Sequence, residues 1–83
     1  MNKRIEVINM IIVNSPLMRK QIRELLVNID EPSYTFKKEE GIKLYFETNI
    51  DDDEQAAAIA KKAIKESSFG SALMFKVNTQ EYI

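Results

Sequence analysis

The chain has 83 residues, of which 45% are apolar and 30% are charged, and its net charge is −1. These values describe one small globular domain, residues 1–83, and they exclude a disordered segment and a strongly basic protein that binds nucleic acid through general charge. Cysteine and histidine are both absent, which excludes disulfides, thiolate or imidazole metal sites and every catalytic triad that needs histidine.

The first residues predict neither a membrane span nor a signal peptide. The apolar stretch from Ile8 to Val13 contains Asn9 and is far too short to cross a bilayer. Glu6 follows the positive charges of Lys3 and Arg4, and no small-residue cleavage site closes the segment. A fold without cysteine suits a reducing interior, so we expect a cytoplasmic protein. Frequent Ile, Lys and Asn suit a bacterial or phage gene rich in A+T.

Residues 4–13 predict the first strand, because six of these ten residues are Ile or Val. Both faces of this strand are apolar, which is typical of an interior strand. One face carries Ile5, Val7, Asn9, Ile11 and Val13; the other carries Glu6, Ile8, Met10 and Ile12.

The first helix is predicted to begin with Ser15 as its N-cap and Pro16 as its first helical residue. Pro32 ends the segment, since the residue before a proline avoids helix. An apolar stripe at helical spacing gives its inner face: Met18, Ile22, Leu25, Leu26 and Ile29.

Residues 33–49 alternate between apolar and polar side chains and predict a hairpin. Its turn is placed at Lys38 to Gly41, with Gly41 left-handed in a bulge. In that register Phe36 faces Leu44 and Tyr34 faces Phe46.

Acidic residues 51–54 begin the second helix and Lys61, Lys62 and Lys65 end it, so both ends match the helix dipole. Gly70 is the predicted helix stop, and residues 71–78 are the predicted last strand. The expected inner face of the helix is Ala56, Ile59, Ala60 and Ala63, with Ile64 at its margin.

The βαββαβ order of these elements predicts a two-layer α+β sandwich of the ferredoxin-like type. Each helix has one apolar stripe, so both should cover the same side of a four-stranded antiparallel sheet. Right-handed crossovers then give the strand order 4-1-3-2. This arrangement leaves the other face of the sheet open.

The open face is the predicted binding surface. We place the Asn9 side of the first strand outward, because an amide buried beneath the helices would need a partner. The resulting apolar strip is large enough to favour a homodimer or another protein as partner. Alternatively, the strip is simply tolerated, or it is covered by the tail that carries Tyr82 and Ile83. The expected interface consists of Val7, Asn9, Ile11, Val13, Tyr45 and Met74.

No residues predict catalysis, a cofactor or a metal site. The acidic run 51–54 lacks the ligand spacing of a calcium loop and is explained by helix capping. Gly41 and Gly70 are the only glycines, which is too few for a phosphate-binding loop. RNA-recognition motifs share the βαββαβ order, but only Tyr45 takes the place of their base-stacking aromatics and their basic-glycine-aromatic signature is missing. We therefore expect no enzyme and no nucleic-acid partner.

The turn Asn14-Ser15-Pro16-Leu17 resembles the ligand turn of regulatory ACT domains, which share this order and size. Asn14 stands where that family has an acidic residue, and Leu17 stands where it has glycine. The resemblance implies a small-molecule sensor with a site at Asn14, Ser15 and Pro16. The leading expectation remains a protein-interaction or self-associating module, with the sensor as the alternative.

Overall fold

Four strands and two helices follow one another in the predicted order within residues 9–50, 52–70 and 73–80, which are the residues that this computed structural model describes. The strands form one antiparallel sheet in the order β2-β3-β1-β4. This is the predicted order read from its other edge, so the α+β sandwich is confirmed. The elements are β1 (Asn9–Asn14), α1 (Arg19–Val27), β2 (Tyr34–Glu40), β3 (Lys43–Thr48), α2 (Asp53–Glu66) and β4 (Lys76–Gln80).

Both helices pack on the same face of the sheet. Ile11 of β1 pairs with Phe46 of β3, and Val13 pairs with Leu44, so these four side chains form the floor of the core. Burying this apolar surface between the layers is the main force that holds the two together. The helices cover the floor with Ile22, Leu26, Ala56, Ala60 and Ile64, all of them fully buried.

The first helix begins later than predicted, at Arg19 and not at Pro16. Ser15 is not its N-cap; the flanking residue is Met18, which has a left-handed φ of 61° and makes no side-chain cap. Met18 is also 39% exposed and so does not join the inner stripe, whereas Ile22 and Leu26 do. The physical reason lies in Ser15: its hydroxyl donates to the carbonyl of Leu17 at 2.6 Å and accepts from no helix N–H, while its backbone N–H prolongs the contact with the hairpin by binding the carbonyl of Ile42 at 2.9 Å.

The hairpin forms, but with a different turn and register. The strands continue to Glu40 and Lys43, so the turn residues are Gly41 and Ile42, with Gly41 left-handed as predicted at φ 61°. A positive φ at the first central residue alone is typical of a type II′ turn, whose twist suits a two-residue hairpin.

The bulge of the hairpin lies at Lys37, between Phe36 and Lys38. Phe36 therefore pairs with Phe46, and not with Leu44 as predicted. Tyr34 likewise pairs with Thr48, and not with Phe46. The shift is by two residues, which keeps each aromatic side chain on its predicted face.

The second helix begins as predicted, since the carboxylate of Asp52 caps it by accepting from the N–H groups of Glu54 and Gln55, both at 3.1 Å. Its inner stripe differs in part. Ile64 is fully buried and not marginal, while Ile59 is only half-buried and lies outside the core cluster.

Strand β4 begins at Lys76, five residues later than predicted from the start at 71. Residues 73–75 are described without strand pairing, although Leu73 and Phe75 still pack against the core. No helix of the described ranges is long and apolar enough to cross a membrane.

Candidate functional site

The predicted interface does not come together on the open face. Ile11 and Val13 point toward the helices and are 0% exposed, so the outward placement of this side of β1 is wrong. Val7 lies outside the described residues, as do Tyr82 and Ile83 of the tail. Tyr45 does lie on the open face, as predicted, and is half-buried.

Asn9 explains why β1 lies with the face opposite to the predicted one toward the helices. Its side-chain amide donates to the backbone carbonyl of Ile50 at 2.6 Å, so the amide has a partner on the helix side of the sheet. A buried amide is costly only when it lacks such a partner. The carbonyl comes from a distant loop, and no local pattern in the sequence could have indicated it.

The open face is therefore less apolar than expected. It presents Ile12 and Tyr45, which are cross-strand partners and half-buried, while Met10 beside them is buried at 7% exposure. Lys38 lies over the ring of Tyr45, with its Nζ 4.9 Å from the ring centroid, and forms an ion pair with Glu40 at 3.2 Å. Polar side chains of the edge strand β2 thus flank the apolar pair of Ile12 and Tyr45 on this face.

The first strand-to-helix turn is held by its own hydrogen bonds. Ser15 is fully buried, and its hydroxyl donates to the carbonyl of Leu17 at 2.6 Å. The guanidinium of Arg19 donates to the carbonyls of Ser15 at 3.0 Å and Pro16 at 2.8 Å, and to Oε2 of Glu39 at 2.9 Å. The Ser15 hydroxyl and the carbonyls of Ser15 and Pro16 are thus already hydrogen-bonded. Of the three residues of the predicted ligand turn, only Asn14 lines a depression in the surface.

That depression lies where the end of β1, the hairpin turn, the approach to β4 and the second half of α2 meet. It is a shallow groove of about 400 Å³, open to solvent and mainly apolar. We call it the end groove, and its lining residues are Asn14, Ile42, Lys61, Lys65, Leu73, Met74, Phe75 and Lys76.

Two apolar side chains of the end groove are unusually accessible. Met74 is 82% exposed and Ile42 is 46% exposed, whereas Leu73 and Phe75 are partly buried against the core. Met74 was predicted to be outward-facing and it is, but it lies before β4 and not within a strand. Ile42 shares its alternation with Leu44 and Phe46, which are buried, but its position in the two-residue turn exposes it.

The polar lining of the end groove is positively charged. Lys61, Lys65 and Lys76 line it without any carboxylate, and none of the three has an ion-pair partner within the described part of the chain. Lys43 adds charge nearby, because Lys43 and Lys76 are the two cross-strand partners of Asn14. Exposed ammonium groups beside apolar surface can bind a carboxylate or phosphate whose neighbouring atoms are apolar.

The sequence did not indicate this site. The sequence pattern predicts Lys61 and Lys65 as the dipole-matching end of α2, but only Lys65 lies in its last turn. Only the tertiary structure places both lysines in one groove with Met74 and Ile42. Among the described residues no three acidic side chains cluster closely enough to hold a metal ion.

Comparison with known proteins adds no functional assignment to this geometry. The chain matches no protein-family model, and no curated protein or solved structure is significantly similar to it.

Proposed function

We propose that the protein is a small non-catalytic module that binds another protein in the end groove. The observation that carries this proposal is the exposure of Met74 and Ile42 side by side with three unpaired lysines. Methionine suits such a surface, because its flexible and polarizable side chain adapts to different partners. The groove is open and shallow, which suits a segment of polypeptide better than a small molecule that must be enclosed.

Selection of peptides from a random displayed library tests this proposal. We expect selected peptides to compete with one another and to bind Met74→Ser and Ile42→Ser variants about tenfold more weakly, since covering one such side chain contributes roughly 1.5–3 kcal/mol. Val27→Ser is the matched control, because Val27 is similarly exposed at 43% but lies on α1, away from the groove lining. Peptides that bind all three variants equally, or a selection that yields none, would contradict the proposal.

Self-association through the open face is a second candidate. Ile12 and Tyr45 support it, because they form a partly exposed apolar pair in the centre of that face. A homodimer would bring this pair into contact with its copy across a two-fold axis. Sedimentation equilibrium at micromolar concentration should then show a dimer that Ile12→Glu converts to a monomer; a wild-type monomer rules the dimer out.

Small-molecule sensing at the same end of the molecule is the third candidate, and it depends on Asn14. This amide lines the end groove, whereas Ser15 is buried and engaged. Thermal-shift screening against amino acids and nucleotides should then show saturable stabilisation that Asn14→Ala removes. Stabilisation that persists in this variant would place the ligand elsewhere.

A further inference from the structure

We infer that the partner segment held by the end groove is acidic, with carboxylates and apolar side chains interspersed. This inference rests on the proposed function and adds the chemistry of the partner. The carboxylates would pair with Lys61, Lys65 and Lys76, and the apolar side chains would cover Met74 and Ile42.

The first argument is charge complementarity. Three described carboxylates pair with cations outside the groove: Glu39 with Arg19, Glu40 with Lys38, and Glu47 with Lys37. Glu66 lies beside Lys61 and Lys65 in a second depression of α2 but forms no ion pair with them. The lysines of the groove keep no such partner in the described ranges. The net charge of the protein is −1, yet three unpaired lysines lie together at the end groove. The electrostatic potential there is therefore locally positive and attracts an anionic segment.

The second argument is spacing. Lys61 and Lys65 are four residues apart on α2, so their side chains leave the same face of the helix about 5–6 Å from each other. Alternate residues of an extended peptide are separated by about 6.6 Å. Two carboxylates at alternate positions of a bound segment can therefore meet the two lysines at once, while the residue between them points to the other side.

The third argument separates a peptide from a nucleic acid. Phosphates would also pair with lysines, but single-stranded nucleic acids gain affinity by stacking bases on exposed aromatic rings. The accessible apolar side chains of the groove are an isoleucine and a methionine, and its one aromatic residue, Phe75, is partly buried against the core. Aliphatic and thioether surface matches the side chains of a peptide.

Fluorescence anisotropy with synthetic peptides tests the inference. The probe is a labelled peptide that alternates Glu with Leu, compared with peptides in which Gln replaces Glu, Lys replaces Glu, or Ser replaces Leu. We expect only the Glu-Leu peptide to bind well, and its affinity to fall as NaCl is raised from about 0.05 to 0.5 M. The double variant Lys61→Glu, Lys65→Glu should weaken binding at least about tenfold, since it replaces two attractive pairs with repulsive ones.

Lys62→Glu is the matched control. Lys62 is exposed on the same helix but does not line the end groove, so Lys62→Glu should weaken binding less than about twofold and less than either single variant, Lys61→Glu or Lys65→Glu, which makes the same change of charge. A Lys61→Gln, Lys65→Gln variant, checked by circular dichroism, serves if the charge-reversed helix does not fold. Equal losses in the three single variants Lys61→Glu, Lys62→Glu and Lys65→Glu would overturn the inference, because binding would then follow net charge alone.

The outcomes separate this inference from the proposed function. If the Gln peptide binds as tightly as the Glu peptide and both depend on Met74, the protein-binding function stands and the acidic partner is wrong. If no peptide of this panel binds but the displayed library yields peptides that depend on Met74 and Ile42, the acidic partner is wrong and the protein-binding function stands; if neither the panel nor the library yields a binder, both are wrong. A labelled single-stranded oligonucleotide is measured in parallel, and tighter binding of it than of the Glu-Leu peptide would assign the groove to nucleic acid. A homodimer that dissociates in the Lys61→Glu, Lys65→Glu variant would assign the groove to a second copy of the chain.

Discussion

Tyr34 anchors the sheet to the second helix through a single buried hydroxyl. Its hydroxyl donates to the carbonyl of Ala56 at 2.6 Å, and the residue is only 3% exposed. Desolvation by burial raises the pKa of Tyr34 from 10.0 to about 12. The small side chain of Ala56 lets α2 approach the sheet closely enough for this contact.

Stability should fall in strong base because of this group. Below pH 10 Tyr34 is protonated in both states, so its contribution is fully present there. Above pH 10 the tyrosine of the unfolded chain ionises first, and the contribution is lost as the pH rises through about 12. Tyr34→Phe should cost about 1 kcal/mol at neutral pH through loss of the hydrogen bond.

Urea denaturation of wild type and Tyr34→Phe at a series of pH values measures this effect. All other side chains are the same in both proteins, so the informative quantity is the difference between their unfolding free energies. That difference should shrink from pH 10 to pH 12. A difference that stays constant across this range would contradict the role of burial.

The residues that sequence reasoning placed wrongly are those whose partners are far away in the chain. Asn9 finds the carbonyl of Ile50, and the backbone N–H of Ser15 finds the carbonyl of Ile42. Periodicity indicates which residues share a face, and it placed Ile11 and Val13 on one face correctly. It does not indicate which of two apolar faces the helices cover when both have a polar interruption.

At the scale of elements, the end of α2 depends on a glycine for a steric reason. The helix ends at Glu66, and Ser67 caps it by donating its hydroxyl to the carbonyl of Ile64 at 2.6 Å. The chain then folds back so that Gly70 lies against this last helical turn. A Cβ added to Gly70 would overlap the carbonyl oxygen of Ile64. Since the obstacle is backbone, a side chain here requires the chain to move.

Gly70→Ala should therefore destabilise the protein by about 2–3 kcal/mol or more, as over-packing does in rigid surroundings. Gly41→Ala is the matched control: Gly41 has a positive φ of 61° but nothing lies within 4 Å of its added Cβ. Only conformational strain of about 1–2 kcal/mol is expected there. Urea midpoints followed by circular dichroism compare the two, and an equal or smaller loss at Gly70 would contradict the close approach.

Element identity was easier to predict than element boundaries. The helical stripe around Ile22 and Leu26 and the acidic start of α2 identified both helices correctly. The predicted beginning of α1 was wrong: Ser15 and Pro16 carry a normal helix-start signal, but the Ser15 hydroxyl donates to the carbonyl of Leu17, and Met18 with its positive φ separates this turn from the helix. The predicted position of the hairpin turn was wrong, because Gly41 can adopt a positive φ in both the predicted four-residue turn and the observed two-residue turn. Only the pairing of the whole strands decides between these two turns.

At the scale of the molecule, the arrangement of layers makes opposite predictions for two neighbouring residues. Ile11 is 0% exposed between the sheet and the helices, whereas Ile12 is half-buried on the open face. Ile11→Glu places a charge in the core without a partner and should prevent folding or cost several kcal/mol. Ile12→Glu should cost much less.

Thermal denaturation of the two variants checks this arrangement. The expected result is a folded Ile12→Glu protein with a slightly lower Tm and a largely unfolded Ile11→Glu protein. The reverse order would mean that the helices cover the other face of β1. Because the two changes are identical and adjacent, differences in expression or in general β propensity do not explain such a result.

The fold was predictable because its signals are local and repeated, whereas the candidate site was not. The βαββαβ order, the antiparallel sheet and the interior position of β1 follow from periodicity and connection rules. The end groove depends on four separate segments meeting at one end of the sheet, and Met74, Ile42 and Lys61 share no motif. A surface of this kind becomes visible only in three dimensions.

The bulge at Lys37 has a consequence for how copies of the molecule could aggregate. β2 is an edge strand, and its extra residue turns Lys37 and Lys38 to the same side, where they meet Glu47 and Tyr45. Kinked edges with lysines are poor templates for a foreign strand. Among the described strands, the edge open to strand addition is therefore β4, on the opposite side of the sheet, and its first residue, Lys76, also lines the end groove.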